Sequence, residues 1–202
     1  MSLRDKPSFQ ERKGRLLDLL ATWSYERRPV VLASGKKSDY YIDCRRTTLT
    51  SEGHFLVGSL FFDILARDFP DVSAVGGMSL GADPLVSATS LTSWIEGRPL
   101  DAFYVRKQPK GHGTGRQVEA PTTIQAGTMV AILEDVVTTG GSTIRAIEAA
   151  ERDLGVDVRC VLALVDRREE GGAQAIAELA PFHAVFTRED FMSLSVREDQ
   201  TP

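Results

Sequence analysis

The sequence predicts an α/β fold in which a central, mainly parallel sheet is flanked by helices. From residue 51 onward, short apolar runs of strand length alternate with segments of helical periodicity. This alternation is typical of parallel strands joined by crossover helices. With 202 residues, 42% of them hydrophobic and 26% charged, the chain is long enough for one such domain with a sizeable core.

Residues 1–50 precede this alternation and are predicted to form an N-terminal helix and a small hood. Leucines and Trp23 have helical spacing over residues 8–24, and the pattern ends before Pro29 because a proline disfavours helix in the residue before it. Two β-like runs at 30–32 and 40–42 enclose a polar segment. This arrangement predicts a β-hairpin.

Residues 51–190 are predicted to be the α/β core of a single domain that spans residues 1–202. Helices are expected from residue 51 to Pro70 and at 83–94, 142–154 and 171–179. Strands are expected at 72–77, 102–106, 129–133, 158–165 and 183–186. Residues 191–202 are expected to form a C-terminal tail.

The segment VAILEDVVTTGGST, residues 130–143, contains the strongest chemical signal. An apolar strand ends at the acid pair Glu134 and Asp135, and a loop rich in glycine and hydroxyls then leads into a helix, with Ser142 or Thr143 as its expected N-cap. Glycines let backbone N–H groups approach an anion, and the helix N-terminus favours negative charge. Because carboxylates accept hydrogen bonds from vicinal hydroxyls, an acid pair beside such a cradle suits a phosphorylated sugar. The alternative is an ordinary strand–turn–helix with solvated acids.

Residues 106–116 form a basic, glycine-rich loop within an acidic chain. Such a loop suits a lid over a polyanion, in which lysine and arginine offset the charge of a departing group. His112, whose unperturbed pKa is about 6.5, is suited to carry a proton. The alternative is a solvated basic loop without a function of its own.

Several classes of function are disfavoured by the sequence. The loop at 138–143 has no lysine of the kind found in nucleoside triphosphatases, and the chain has no GxGxxG dinucleotide motif. The net charge of −4 argues against nucleic acid as a partner, and no stretch has the roughly 20 apolar residues of a membrane span. The two distant cysteines suit a reducing compartment, so we expect a cytoplasmic protein without membrane partners.

Four motifs resemble those of a known family. The segment ILEDVVTTGGST resembles the phosphoribosyl pyrophosphate signature of the type I phosphoribosyltransferases. The segment VRKQPKGHGTGR resembles the Arg-Lys-x-x-Lys-x-His-Gly catalytic loop of the orotate phosphoribosyltransferases, and DRREEGG resembles their Asp-Arg-x-x-x-Gly motif. The segment ASGKKSDYY resembles Lys-Ser-Gly-x-x-Ser-x-Tyr, with Ala33 in place of the lysine. The glycine turn at 76–82 has Leu80 where some members carry a lysine.

The resemblance implies the type I phosphoribosyltransferase fold and transfer of ribose 5-phosphate from 5-phosphoribosyl 1-pyrophosphate to orotate. The products would be orotidine 5′-monophosphate and pyrophosphate, in pyrimidine biosynthesis. It also implies Mg²⁺ as a cofactor carried by the pyrophosphate, without metal ligands from the protein, and a homodimer with shared active sites.

The resemblance further assigns roles to individual residues. The implied catalytic residues are Lys110, His112 and Asp135. Orotate would be bound by Thr138, Arg167, Tyr40 and Tyr41, although plain strand packing is the alternative for at least one of the two tyrosines. The sugar donor would be bound by Arg106, Lys107, Lys110, His112, Glu134, Asp135, Val136, Val137, Thr138, Thr139, Gly140, Gly141 and Ser142.

The sequence leaves two other functions open. One is a type I phosphoribosyltransferase for a purine or for uracil, which the basic loop and Arg167 argue against. The other is a non-catalytic regulator of the same fold that binds nucleotide or RNA. The intact acid pair and the basic loop argue against that second possibility.

Overall fold

The computed structural model describes residues 7–31, 35, 37–108 and 116–198. It begins with α1 (Phe9–Trp23), and the predicted helix is confirmed. Ser8 is its N-cap: the Glu11 N–H donates to the Ser8 hydroxyl, and the Ser8 N–H donates to the Glu11 carboxylate at 2.8 Å. This reciprocal capping satisfies two backbone donors at the helix start.

The hood contains four two-residue strands, and the predicted hairpin is wrong. The strands are β1 (Tyr25–Glu26), β2 (Val30–Val31), β3 (Lys37–Ser38) and β4 (Tyr41–Ile42). They pair antiparallel as β1 with β4 and β2 with β3, so Val30 and Val31 pair with residues 37 and 38 and not with residues 40–42. The buried ring of Tyr40 stacks on Tyr25 with 5.5 Å between centroids, which accounts for β4 lying beside β1. A short helix that the sequence analysis missed, α2 (Arg45–Thr48), completes the hood.

The core alternates helices and strands as predicted. Its elements are α3 (Ser51–Asp68), β5 (Ala74–Met78), α4 (Asp83–Ile95), β6 (Asp101–Val105), β7 (Val118–Glu119), β8 (Met129–Val137), α5 (Gly141–Leu154), β9 (Asp157–Asp166), α6 (Gly172–Ala177), β10 (Phe182–Thr187) and α7 (Arg188–Glu198).

Six strands form the central sheet in the order β10-β9-β8-β5-β6-β7. All neighbouring pairs are parallel except β6 with β7, a short antiparallel strand that the sequence analysis missed. Successive residues of β8 face opposite layers: Ala131 and Leu133 pack with α1, α3 and α4, whereas Val130 and Ile132 pack with α5 and α6. The predicted α/β class with a mainly parallel sheet is confirmed.

Two expected boundaries differ from those of the structure. Strand β8 does not end at Leu133, because residues Glu134 to Val137 continue to pair with β9 as far as Asp166. Residues 191–198, which were expected to belong to the C-terminal tail, lie within α7. Phe191 is buried and stacks on Tyr25 with 5.4 Å between centroids, so apolar burial holds this part of the chain against the hood.

Within the described residues, no helix combines the length and the apolar character needed to cross a bilayer.

Candidate active site

A pocket of about 310 Å³ opens where the carboxyl ends of the parallel strands meet the hood. This is the edge at which open α/β sheets bind ligands. Its lining brings together six of the predicted site residues: Tyr41, Lys107, Glu134, Asp135, Val136 and Ser142. The other lining residues are Ile42, Asp43, Arg45, Met78, Ser79, Leu80 and Gly81.

Glu134 is buried beneath the start of α5 and accepts two hydrogen bonds from it. The Ser142 hydroxyl donates to Oε2 at 2.8 Å, and the Thr143 hydroxyl donates to the same atom at 2.6 Å. The expected N-cap is therefore wrong: Gly140 occupies that position, and the hydroxyls of Ser142 and Thr143 are bonded to Glu134. Glu134 thus ties the end of β8 to the start of α5.

Asp135 is held more rigidly than a solvated acid at a strand end. The Val136 N–H donates to its Oδ1 at 2.9 Å. Its carboxylate also lies directly against Gly81, where a Cβ atom would stand only 2.6–2.9 Å from the carboxylate atoms. The absence of a side chain at position 81 is therefore what lets the turn after β5 approach the acid pair.

The two adjacent acids have raised pKa values because both are buried. Burial, together with the negative charge of Asp135, raises the pKa of Glu134 to about 8. Burial also raises the pKa of Asp135, opposed by its hydrogen bonds and by nearby Arg45. At neutral pH Glu134 is therefore mostly protonated, whereas the hydrogen bonds to Asp135 and the nearby charge of Arg45 favour the ionised form of Asp135.

The loop between β8 and α5 has the backbone geometry expected of an anion cradle. Gly140 has a φ of +77°, and a Cβ atom there would lie 2.9 Å from the carbonyl oxygen of Gly172 and 3.1 Å from Ile176. Position 140 consequently requires glycine. Thr138, Thr139, Gly140 and Gly141 lie at the N-terminus of α5, where backbone N–H groups favour an anion.

The residues predicted in the basic loop are only partly within the described chain. Lys107 lines the pocket, whereas the Arg106 guanidinium pairs with Glu119 at 2.9 Å. Lys110, His112 and Gly113 lie outside the described residues, as do Ala33 and Ser34 of the hood motif. The roles of these residues stay predictions.

The residues predicted to bind orotate do not all line this pocket, and Thr138 lies in the loop before α5. Tyr41 lines the pocket, but Tyr40 and Arg167 are buried beneath the hood, with the guanidinium 4.0 Å from the Tyr40 ring centroid. Arg167 Nε donates to Glu169 at 3.1 Å, and its Nη2 donates to Ser38 at 2.8 Å. A substrate carboxylate can bind this edge of the guanidinium only if it displaces Glu169 and Ser38.

Sequence reasoning missed Asp43 and Arg45, which reach the pocket from the hood. Arg45 Nε and Nη2 donate to the two carboxylate oxygens of Asp43 at 2.8 and 3.0 Å. The only local signal was a pair of adjacent arginines at 45 and 46. Nothing in that pattern indicates that one of them turns toward the acid pair.

Comparisons with known proteins agree with this geometry. No model of a known protein family matches the sequence. The orotate phosphoribosyltransferase of Sorangium cellulosum is 54% identical over 181 residues, which cover 89% of this chain and 93% of that protein. A crystal structure of Mycobacterium tuberculosis orotate phosphoribosyltransferase superimposes with a TM-score of 0.75 at 38% identity, covering 89% of this chain and 98% of that one.

The M. tuberculosis enzyme has also been solved in complex with 5-phospho-α-D-ribosyl 1-diphosphate. That structure superimposes with a TM-score of 0.70 at 31% identity and covers 93% of this chain and 95% of its own. Both the sequence similarity and the structural similarity extend over most of the chain. The chain therefore belongs to the orotate phosphoribosyltransferase family.

Proposed function

We propose that the protein transfers ribose 5-phosphate from 5-phosphoribosyl 1-pyrophosphate to orotate, giving orotidine 5′-monophosphate and pyrophosphate. The observation that carries this proposal is that the acid pair lies next to the phosphate cradle at the start of α5. Both acids line the pocket, and Glu134 also accepts hydrogen bonds from Ser142 and Thr143 in the first turn of α5. A sugar hydroxyl on Asp135 would thus lie close to a phosphate on α5.

The chemistry assigned to each group follows from charge. As the bond from C1 to the diphosphate oxygen breaks, positive charge develops on the sugar ring and negative charge on the leaving diphosphate. The Asp135 carboxylate accepts hydrogen bonds from the ribose hydroxyls and favours the cationic ring. Lys107, with Lys110 and His112, offsets the charge of the diphosphate.

In this scheme Glu134 does not contact the substrate but positions Ser142 and Thr143. Its raised pKa leaves it mostly protonated, and its bonds from Ser142 and Thr143 fix the start of the cradle. The 5-phosphate is held by the backbone N–H groups and hydroxyls of residues 138–142.

Orotate requires a group that recognises a carboxylate, and Arg167 is the proposed one. Guanidinium binds carboxylate through paired N–H donors. Glu169 holds the Nε of Arg167 and also lies 3.8 Å from Arg188. Arg188 is consequently an alternative partner for Glu169 when a substrate carboxylate takes its place.

Mg²⁺ is proposed to enter with the diphosphate of the donor. Among the described residues there is no group of three or more His, Cys, Asp or Glu side chains arranged to hold a metal ion. The ligands of the ion would be diphosphate oxygens and water. The ion would neutralise charge on the leaving group.

The protein is proposed to work in the cytoplasm as a homodimer with shared active sites. Its two cysteines, Cys44 and Cys160, are free and buried, as suits a reducing compartment. Leu91, Trp94 and Ile95 of α4 expose apolar side chains next to a cavity of about 450 Å³. An exposed apolar helix face of this kind fits a second copy of the chain.

Mixing two inactive variants tests shared sites. Lys110→Ala and Asp135→Asn are each expected to lose most of their activity. If Lys110 acts on the neighbouring site, random exchange gives hybrid dimers with one intact site, and activity returns to about a quarter of the wild-type value. No recovery, with subunit exchange demonstrated by mass spectrometry, would place Lys110 in the site of its own chain.

Base specificity tests the function itself. Orotate consumption and pyrophosphate release are measured spectroscopically with the sugar donor, beside adenine, hypoxanthine and uracil. Turnover with orotate alone is the expected result. Turnover with another base in preference to orotate would contradict the proposal, as would no pyrophosphate release with any base.

A further inference from the structure

The pocket around the acid pair contains more acidic than basic side chains. Its acidic lining residues in the described chain are Asp43, Glu134 and Asp135, and its basic ones are Arg45 and Lys107. The turn formed by Ser79, Leu80 and Gly81 contributes no basic side chain. A polyanionic donor therefore needs each cation that the pocket offers.

Arg45 is fixed at the pocket wall by a bidentate ion pair. Asp43 accepts from Nε at 2.8 Å and from Nη2 at 3.0 Å, and it also accepts from the Arg45 backbone N–H at 3.2 Å. Those side-chain bonds use two of the five N–H groups of the guanidinium. Within the described chain, no further hydrogen bond of this side chain is seen, so three donors remain for an anion in the pocket.

The charge of Arg45 already acts on the acid pair. Its positive charge lowers the pKa of Asp135, although burial raises that pKa by more. Since Asp135 is the group proposed to hold the ribose, Arg45 lies within electrostatic reach of the sugar. It shares the pocket with Ser79, Leu80 and Gly81 of the turn that abuts Asp135, whereas Ser142 is the one residue of the phosphate cradle at 138–142 that lines this pocket.

The neighbouring Arg46 shows that this placement is specific. The Arg46 guanidinium pairs with Glu26 and lies 5.9 Å from the centroid of the Tyr41 ring, and it does not line the pocket. The two side chains are equally exposed, at 46% and 47%. The two arginines therefore have the same charge and exposure, but only the side chain of Arg45 lines the pocket.

We infer that Arg45 binds the diphosphate of the sugar donor, through the guanidinium edge that Asp43 leaves open. This inference rests on the proposed function and adds to it a cation that comes from the hood. Asp43 then serves as a positioning residue that holds the guanidinium at the wall of the pocket.

The test compares Arg45→Ala with Arg46→Ala in the full-length protein. Steady-state kinetics give KM for the donor and for orotate, and calorimetry gives Kd for magnesium pyrophosphate as the probe. Loss of hydrogen bonds to a charged group predicts that Arg45→Ala raises the donor KM and the pyrophosphate Kd by about 10- to 100-fold. The orotate KM of Arg45→Ala and all three constants of Arg46→Ala should stay within about twofold of the wild type.

Two further variants separate binding from a structural role. Arg45→Lys keeps the charge but loses the paired donors, so its effect should lie between those of wild type and Arg45→Ala. Asp43→Asn keeps Arg45 but loosens the hold on its guanidinium, so it should weaken pyrophosphate binding less than Arg45→Ala does. If Arg45→Lys and Asp43→Asn both weaken pyrophosphate binding as much as Arg45→Ala does, the intact ion pair matters only for the structure of the hood and the inference is wrong.

Failure of this inference is distinguishable from failure of the proposed function. Wild-type turnover with orotate, combined with unchanged donor KM and pyrophosphate Kd in Arg45→Ala, would overturn the inference and leave the function standing. An inactive wild type would remove the function, and the pyrophosphate titration alone would still decide whether Arg45 binds the anion.

Discussion

Gly81 lies so close to the acid pair that any side chain at this position must displace a carboxylate. A Cβ atom at position 81 would lie 2.6 Å from Oδ1 of Asp135, 2.8 Å from its Cγ and 2.9 Å from Oδ2, whereas ordinary contact begins at 3.4 Å. The Cβ–Oδ1 distance of 2.6 Å is about 0.8 Å shorter than an ordinary contact of 3.4 Å, so the carboxylate must move away by about that much. Asp135 is half-buried and accepts a hydrogen bond from the Val136 N–H, so its carboxylate cannot move away without losing this bond.

The expected cost of Gly81→Ala is large for catalysis and moderate for folding. A misplacement of about 1 Å in a catalytic site lowers the rate by about 100-fold. Crowding of this size typically lowers the free energy of unfolding by about 1–3 kcal/mol, which leaves a domain of this length folded. We therefore expect kcat/KM for the sugar donor to fall by one to two orders of magnitude in a protein that still unfolds cooperatively.

Gly14→Ala is the matched control for this substitution. Gly14 lies on the exposed side of α1, with no atom within 4 Å of a Cβ at that position, so kcat/KM should not change. Helix propensity predicts a gain of roughly 0.5–1 kcal/mol in the free energy of unfolding. Wild-type kcat/KM in a folded Gly81→Ala variant would refute the reasoning that Asp135 must stay where the structure has it.

Two further predictions concern the buried charged groups. Because the pKa of Glu134 is raised from 4.5 to about 8 on folding, its contribution to stability is complete below pH 4.5 and is lost as pH rises through 8. Glu134→Gln should flatten the decline of unfolding free energy over that range, by at most about 1.4 kcal/mol per pH unit in denaturant titrations; parallel curves would exclude the raised pKa. Arg167→Ala should raise the orotate KM more than the donor KM, whereas Arg168→Ala, whose exposed guanidinium faces Glu189, should change neither. An unchanged orotate KM in Arg167→Ala would remove Arg167 from the base site.

The order of core elements was predictable because it follows from periodicity. Apolar runs such as β8 and β9 are buried on both faces of a parallel sheet, and the helices between them repeat their apolar positions along one side. The strand–loop–helix arrangement around Gly140 was likewise visible from composition. Glycine at position 140 is required by a positive φ, and that requirement is local.

The pairing of the hood strands was not predictable because each strand has only two residues. The stacking of Tyr40 on Tyr25 and the burial of Phe191 accompany the observed pairing, and these residues are distant in sequence. The end of β8 was misplaced for a related reason. Charged Glu134 and Asp135 resemble a strand end, but their main chain continues to pair with β9 while Glu134 is compensated by two hydroxyls.

The pocket was only partly predictable from motifs. Its acids, Lys107 and Tyr41 lie in segments with recognisable patterns, whereas Arg45 and Asp43 reach the pocket through the packing of α2 against the core. Arg167 illustrates the opposite case. Its motif is clear, but its guanidinium is bonded to Glu169 and Ser38, partners that sequence spacing does not indicate.

A crystal structure with the sugar donor and magnesium bound tests the central claim most directly. We expect the ribose hydroxyls about 3 Å from the Asp135 carboxylate and the 5-phosphate on the N–H groups at the start of α5. Donor bound at another edge of the sheet, or in this pocket with its phosphate directed away from residues 138–142, would contradict the account.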